Sequence, residues 1–151
     1  MAKPAIRPVA AGDRDEWFRL WQGYLDFYER ALDPKISDAT WRRLLDTAGP
    51  VYGLVATDED GVLIGFVNYV LHASTWSDRP VCYLEDLFVA PDARGQGAGR
   101  ALIEAVVDLA KTHGWYRVYW QTRQGNATAR GLYDKVAQAM DWVRYDVNVS
   151  I

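Results

Sequence analysis

Leu87-Phe88-Val89-Ala90-Pro91-Asp92-Ala93-Arg94-Gly95-Gln96-Gly97-Ala98-Gly99-Arg100 is the stretch on which the reading of this chain turns. The run Val81 to Val89 leads into it and reads as a long strand. Ala98, Ala101, Leu102, Ala105, Val106 and Leu109 follow at helical spacing and mark one face of a helix that ends near His113-Gly114. Gly95, Gly97 and Gly99 therefore stand where a strand hands over to a helix. Glycine there frees the backbone to turn tightly and to come close to a ligand. The unpaired N–H groups of the helix start, with the helix dipole behind them, favour an anion. Arg94 and Arg100 add positive charge. In outline this is a pyrophosphate cradle, although the same glycines also fit a tight turn that binds nothing. A dinucleotide fingerprint would need glycine at position 100, where Arg100 stands, and the Gly-Lys-Ser/Thr of a Walker loop is absent.

Outward from the loop, the pattern continues in both directions. Ile6 to Val9 is a short extended start. Asp13 opens a helix with Glu16 three residues on, in the manner of a capping box, and Trp17, Leu20, Trp21, Tyr24, Leu25 and Tyr28 follow at helical spacing. A shorter helix begins after Ser37, includes Trp41, Leu44 and Leu45, and stops at Gly49-Pro50. Val51–Thr57 and Val62–Leu71 form a hairpin about the Asp58-Glu59-Asp60-Gly61 turn. Beyond the loop, Tyr116–Thr122 reads as a strand, Asn126 starts a helix carrying Ala129, Leu132, Tyr133 and Val136, and Trp142–Val149 alternates as a final strand. The order β-α-α-β-β-β-α-β-α-β predicts an α/β (α+β) fold, a mixed sheet with helices against it, in a single domain over residues 1–151.

Composition bounds the function. Half of the 151 residues are hydrophobic and a quarter are charged, as in a folded protein. The formal net charge of −3 argues against a general nucleic-acid surface. One cysteine excludes an internal disulfide, and two histidines beside it leave no zinc cluster to expect. No apolar run approaches the ~20 residues of a bilayer span. The N-terminus carries early acids and no long apolar core, so no secretory signal is expected, and the setting is expected to be reducing and cytoplasmic. The charges are unevenly placed: residues 1–92 hold 9 bases and 15 acids, a net of −6, and residues 93–151 hold 8 bases and 5 acids, a net of +3.

The loop resembles the coenzyme-A-binding motif of the GNAT superfamily of N-acetyltransferases, Arg/Gln-x-x-Gly-x-Gly/Ala, with Arg94, Gly97 and Gly99 at its fixed positions. Leu87-Phe88-Val89 and Pro91 match its usual lead-in, and the element order is similar over almost the whole chain. Tyr83-Leu84-Glu85-Asp86-Leu87-Phe88-Val89 and the opening Ile6-Arg7-Pro8 resemble the polyamine and thialysine acetyltransferases. Val118-Tyr119-Trp120-Gln121-Thr122, Asn126-Ala127-Thr128-Ala129 and Leu132-Tyr133 resemble the histone- and polyamine-acetylating branch. The resemblance implies a mostly antiparallel sheet flanked by helices and splayed between its fourth and fifth strands. It implies acetyl-CoA as donor, no metal, and a homodimer. The family often has two strands after its last helix. Here 15 residues follow Val136, so that hairpin must be reduced, and a partner chain is a candidate to complete the edge.

Acetyl transfer from a thioester to an amine sets two proton problems. An amine of pKa about 10 is mostly protonated at neutral pH and cannot attack, and the leaving thiolate must be protonated or stabilised. Tyr133 falls seven residues, about two turns, after Asn126, on the same helix face. The resemblance places this tyrosine beside the sulfur as the acid, whereas spacing alone also fits a core tyrosine. Glu85 and Asp86 interrupt an apolar strand. Buried carboxylates need partners, which would be an amine with its departing proton or an arginine such as Arg79 or Arg117. Strand alternation lets at most one of the two face a given cleft. By resemblance the backbone of Leu87, Phe88 and Val89, the loop Arg94, Gly95, Gln96, Gly97, Ala98, Gly99 and Arg100, and Asn126 with Ala129 hold coenzyme A. Lys135 and Arg130 also fit solvated helix charges. Tyr28 and Glu29, with Glu85, are the acceptor-side residues, since the polyamine-acetylating relatives carry a similar Tyr-Glu. Aromatics with acids suit an alkylammonium, while Trp17 and Trp21 read as core. His72 reads as a loop histidine with a proton relay as its alternative, His113 as a helix-end histidine, and Cys82 as a small buried apolar group. The expected acceptor is a small polyamine-like or lysine-like amine or a protein lysine. A non-catalytic acyl-CoA-binding module on the same fold and a nucleotide-binding protein are the alternatives.

Overall fold

The computed structural model describes residues 3–149. The chain divides into two compact units, Met1–Trp120 and Gln121–Ile151. The first unit holds five strands, β1 (Ala5–Pro8), β2 (Val51–Thr57), β3 (Leu63–His72), β4 (Val81–Val89) and β5 (Arg117–Tyr119), and three helices, α1 (Arg14–Phe27), α2 (Pro34–Leu45) and α3 (Ala98–His113). The strands lie in chain order in one sheet. Each pairs antiparallel with its neighbour except β4 and β5, which run parallel. The second unit contains α4 (Ala127–Val136).

The two faces of the sheet are told apart by neighbouring residues of β3. Phe66 packs on Trp17 and Trp21 of α1, with ring centroids 5.7 and 6.0 Å apart. A Cβ on the adjacent Gly65 would lie 3.5 Å from Leu102 of α3. Since alternate strand residues face opposite sides, α1 covers one face and α3 the other. Trp17, Phe66, Val55, Val67, Leu102 and Val106 have no exposed surface, and Trp21 is buried beside them. The rings of Trp17, Trp21 and Tyr24 stack in succession along α1.

Local signals set several boundaries. Asp33 caps α2 through Lys35 N at 2.9 Å with Pro34 in the first turn, so the helix starts ahead of Ser37. Ser37 is buried inside α2 and accepts a 2.9 Å bond from Trp21 Nε1. Two expectations at the start of α1 change. Glu16 does not complete a capping box; its Oε2 accepts from Leu63 N at 3.0 Å and ties β3 to α1. Asp13 lies in the 3-10 turn Ala11–Asp13, where it accepts from Ala10 N and from both ends of the Arg7 guanidinium at 2.8 Å. The Arg7 bonds hold the Asp13 carboxyl below its ordinary pKa against the opposing effect of burial. A carboxyl with a lowered native pKa stabilises the fold at neutral pH, and this contribution is lost as pH falls through that pKa. Asp13→Asn is therefore expected to lower stability at pH 7 by about 1 kcal/mol, discounted for the half-exposed Arg7, and to match the wild type in strong acid. Urea melts at the two pH values check this.

The C-terminal segment differs from its alternating pattern. Residues 137–149 form no helix or strand. Trp142, Val143, Tyr145, Val147 and Val149 are all largely exposed. Alternation prescribes which side chains share a face, but a strand exists only where another edge supplies its hydrogen bonds. The strand expected over Tyr116–Thr122 is likewise shortened to Arg117–Tyr119.

Candidate functional site

The site in the first unit is built on β4 and the start of α3. Pairing between β4 and β5 runs only from Val81 to Tyr83, opposite Arg117 to Tyr119. Beyond Tyr83, β4 and β5 part, which is the expected splay. At the end of β4, Pro91–Ala93 makes a 3-10 turn, and Arg94 reaches back to Val89 O at 3.4 Å. Gly95 and Gly97 take φ of 85° and 82°, the left-handed region that other residues avoid. No atom lies within 4 Å of where a Cβ would stand on either. Gly97 is the N-cap of α3, and no side chain caps that terminus. Ala98 is buried, while Gly95, Gly97 and Arg100 are exposed. The result is an open, glycine-walled helix start with its first N–H groups uncapped by side chains, which suits a phosphate group. Arg100 also pairs with Glu104 at 2.9 Å along the helix surface.

The acidic pair of β4 is not arranged as simple alternation predicts. Asn68 opposes Asp86 but the next residue, Tyr69, opposes Leu84, so Glu85 is an extra residue in a β-bulge. The bulge moves Asp86 onto the α1 face with Phe88, while Leu84 stays on the opposite face. Both carboxylates now act on the phenol of Tyr24. The inserted residue resets the alternation along β4.

Asp86 takes its hydrogen bonds from neutral partners rather than from Arg79 or Arg117. Asn68 Nδ2 donates to Asp86 Oδ2 at 3.0 Å, and the Tyr24 phenol lies in hydrogen-bonding reach of the same carboxyl. Desolvation raises the Asp86 pKa above the usual carboxylate range, and the two hydrogen bonds only partly oppose it. Burial, and then the Asp86 charge, push the Tyr24 phenol up. Sequence reasoning missed Asn68 and Tyr24. The one available signal was an amide inside the apolar run of β3.

The other candidates are dispersed. Tyr28 packs edge-on against Tyr24 at 4.9 Å and is partly exposed, at the open end of the α1 ring ladder. Glu29 follows with φ 52°, the position after the helix where glycine is usual. His72 Nδ1 lies 2.9 Å from Ala73 O, so in the neutral ring this nitrogen carries the hydrogen. Nε2 then accepts from Tyr119 OH at 2.9 Å. Cys82 is buried, and burial pushes its thiol up to about 12, which leaves it inert. His113 stacks on Trp115. In the second unit, Asn126 caps α4 by accepting from Ala129 N at 3.3 Å and donates to Thr122 Oγ1 at 3.2 Å. Tyr133 lies two turns further along α4. Arg130 donates to Gln124 O at 3.0 Å. Among the described residues no helix is long and apolar enough to cross a membrane, and no group of three or more His, Cys, Asp or Glu is placed to hold a metal ion.

Comparison with known proteins gives consistent matches. The profile of the family described as Acetyltransferase (GNAT) family matches residues 14–137. A D-amino-acid N-acetyltransferase of Saccharomyces cerevisiae is 36% identical over 144 residues, covering 95% of this chain and 89% of that protein. A thialysine N-epsilon-acetyltransferase of Mus musculus is 27% identical, covering 88% and 82% of the two chains. Among solved structures, a ribosomal-protein-alanine N-acetyltransferase from Brucella melitensis superposes with a TM-score of 0.81 at 25% identity, covering 97% and 99%. The aminoglycoside acetyltransferase AAC(6')-Iy, solved with a CoA-containing bisubstrate analogue, shares the fold with a TM-score of 0.82 at 20% identity, covering 99% and 100%.

Proposed function

The chain belongs to the GNAT acetyltransferase family, and from that premise we infer that it transfers acetyl from acetyl-CoA to a primary amine by direct attack in a ternary complex. The observation that carries this reading is the open glycine start of α3, directly after a strand whose bulge at the exposed Glu85 sets Asp86 on the α1 face. The family match crosses the division between the two units, which supports one acetyltransferase domain.

Acetyl-CoA supplies the acetyl group as an activated thioester. The N–H groups of Gly97, Ala98, Gly99 and Arg100, with Gly95 and Gln96 shaping the loop, receive its phosphates. Arg94 and Arg100 complement their charge. The backbone of Leu87, Phe88 and Val89 meets the amide-bearing arm, and Asn126 has a second amide hydrogen to offer it beside Ala129. Glu85 and Asp86 draw in the acceptor's ammonium and accept one of its protons, directly or through water. The freed nitrogen attacks the carbonyl carbon, a C–N bond forms and the C–S bond breaks. Tyr133 donates its proton to the departing sulfur and regains one from the nitrogen. The balance is one amide, one thiol and one proton released.

The acceptor is a small amine of polyamine-like or lysine-like chemistry, with a protein lysine as the other candidate. Supporting this are the acidic pair and the partly exposed Tyr28, together with relatives named for D-amino acids and thialysine. The deciding experiment follows free-thiol release from acetyl-CoA against a panel of amines. Turnover with at least one amine is expected. Tight acetyl-CoA binding with no turnover would instead favour a non-catalytic acyl-CoA-binding module. The strained Glu29 offers a second check. Glu29→Gly is expected to raise stability by about 1 kcal/mol, because glycine adopts the left-handed backbone without penalty. It is also expected to raise KM for the amine, and the two effects are read by denaturant melts and steady-state kinetics. The exposed alternating segment Trp142–Val149 supports a homodimer in which another edge pairs with it, and sedimentation reads this directly. A cytoplasmic setting accords with the single, buried, reduced Cys82.

A further inference from the structure

Asn68 sits in the middle of β3 with 2% of its surface exposed, between the buried Val67 and Tyr69. A buried amide needs partners for both ends. Its Nδ2 has one, Asp86 Oδ2 at 3.0 Å. Its Oδ1 is buried with no hydrogen-bond partner. That oxygen points toward Gly53 of β2, where a Cβ would lie 3.4 Å from it and 3.0 Å from Leu44 Cδ2 of α2. An unmet buried acceptor is unfavourable, and leucine, of nearly the same size, would fill this apolar position without one. Core packing therefore does not account for the residue. What the amide does and leucine cannot is hold the Asp86 carboxyl.

Three independent features converge on that carboxyl. The bulge at Glu85 brings Asp86 opposite Asn68. Tyr24 reaches it from α1. Gly23 lets α1 lie close to β4, since a Cβ there would be 3.0 Å from Phe88 Cζ. The titratable group that acts on the carboxyl itself is Tyr24 of α1, and Tyr24 in turn feels Tyr28 on α1 and Glu85 on β4. We propose that Asn68 is a positioning residue: with Tyr24 it clamps the Asp86 carboxyl in one orientation, ionised, for the acceptor's ammonium. This rests on the acetyltransferase reading above.

Both clamp donors favour the charged carboxyl, so removing either makes it harder to ionise. In Asn68→Leu the acid limb of kcat/KM for the amine is expected to move to higher pH. KM for the amine should rise about tenfold, the scale of one lost hydrogen bond to a charged group, with KM for acetyl-CoA unchanged. Tyr24→Phe keeps the ring stack and should move the limb in the same direction, which keeps the inference testable if Asn68→Leu does not fold. A readout independent of turnover is NMR titration of protein labelled at the aspartate carboxyl carbon, with Asp86→Asn assigning the resonance. The Asp86 signal should titrate at higher pH in both variants than in the wild type. An Asp86 signal and an acid limb unmoved in folded variants would overturn the clamp. A wild type that acetylates no amine would overturn the acetyltransferase reading, and the titration would still decide whether Asn68 holds Asp86.

Discussion

Tyr133→Phe is expected to lower kcat for acetyl transfer by about 10²–10⁴-fold, the scale of losing a general acid. The substitution removes one oxygen from α4 and leaves a ring of the same shape, so the helix and KM for acetyl-CoA should be preserved. A phenol is suited to this task because it stays protonated at neutral pH and has a proton to give. A thioester donor whose thiol is more acidic needs less help on departure, so it should recover much of the loss in Tyr133→Phe and gain little in the wild type. An unchanged rate with acetyl-CoA, measured by thiol release, would remove the tyrosine from the chemistry.

The acidic pair carries the second large effect. Glu85→Gln is expected to reduce kcat/KM for the amine by about 10²–10⁴-fold if this side chain accepts the proton. Asp86→Asn is expected to reduce it by about 10²-fold and to raise stability at neutral pH. The sign of the stability change follows from burial. Desolvation raises the Asp86 pKa in the native protein, so the folded chain binds this proton more tightly than the unfolded one. Stability then falls as pH rises from the ordinary carboxylate range through the native pKa, because ionisation of a desolvated acid opposes folding. Asparagine keeps the shape and never ionises. The melting temperatures of wild type and Asp86→Asn should therefore diverge as pH rises from acid to neutral, the variant being the more stable. Higher stability with lower activity is what a group retained for catalysis produces.

The uneven placement of charge along the chain has a partial counterpart in the fold. The acidic part of the chain contains α1 and β4 with Glu85 and Asp86, and the basic part begins with the loop at Arg94. A cationic acceptor and an anionic donor match those two neighbourhoods.

Much of this was legible in one dimension. The limits of β2 and β4 coincide with runs that ordinary strand patterning picks out, and α3 begins at Ala98 where the apolar face begins. These are local rules: side-chain periodicity, turn residues and glycine at a strand-to-helix junction. The cradle was legible for the same reason, since its glycines and the helix that follows are adjacent in sequence. Glu16, by contrast, has the spacing of a capping box and serves β3 instead, because a backbone N–H 47 residues away competes for the same carboxylate.

By itself, then, the sequence determined the order of the elements, the glycine loop, the presence of two carboxylates in β4 and the family to which these features belong. Only the tertiary structure decided how those carboxylates face. Register between β3 and β4 is a property of two strands, and one inserted residue at Glu85 changes which side every later residue occupies. Only the fold placed Asn68 and Tyr24, from two other elements, against Asp86. Only the fold left Trp142–Val149 without strand structure, because a strand requires an edge to bond with and alternation alone cannot provide one.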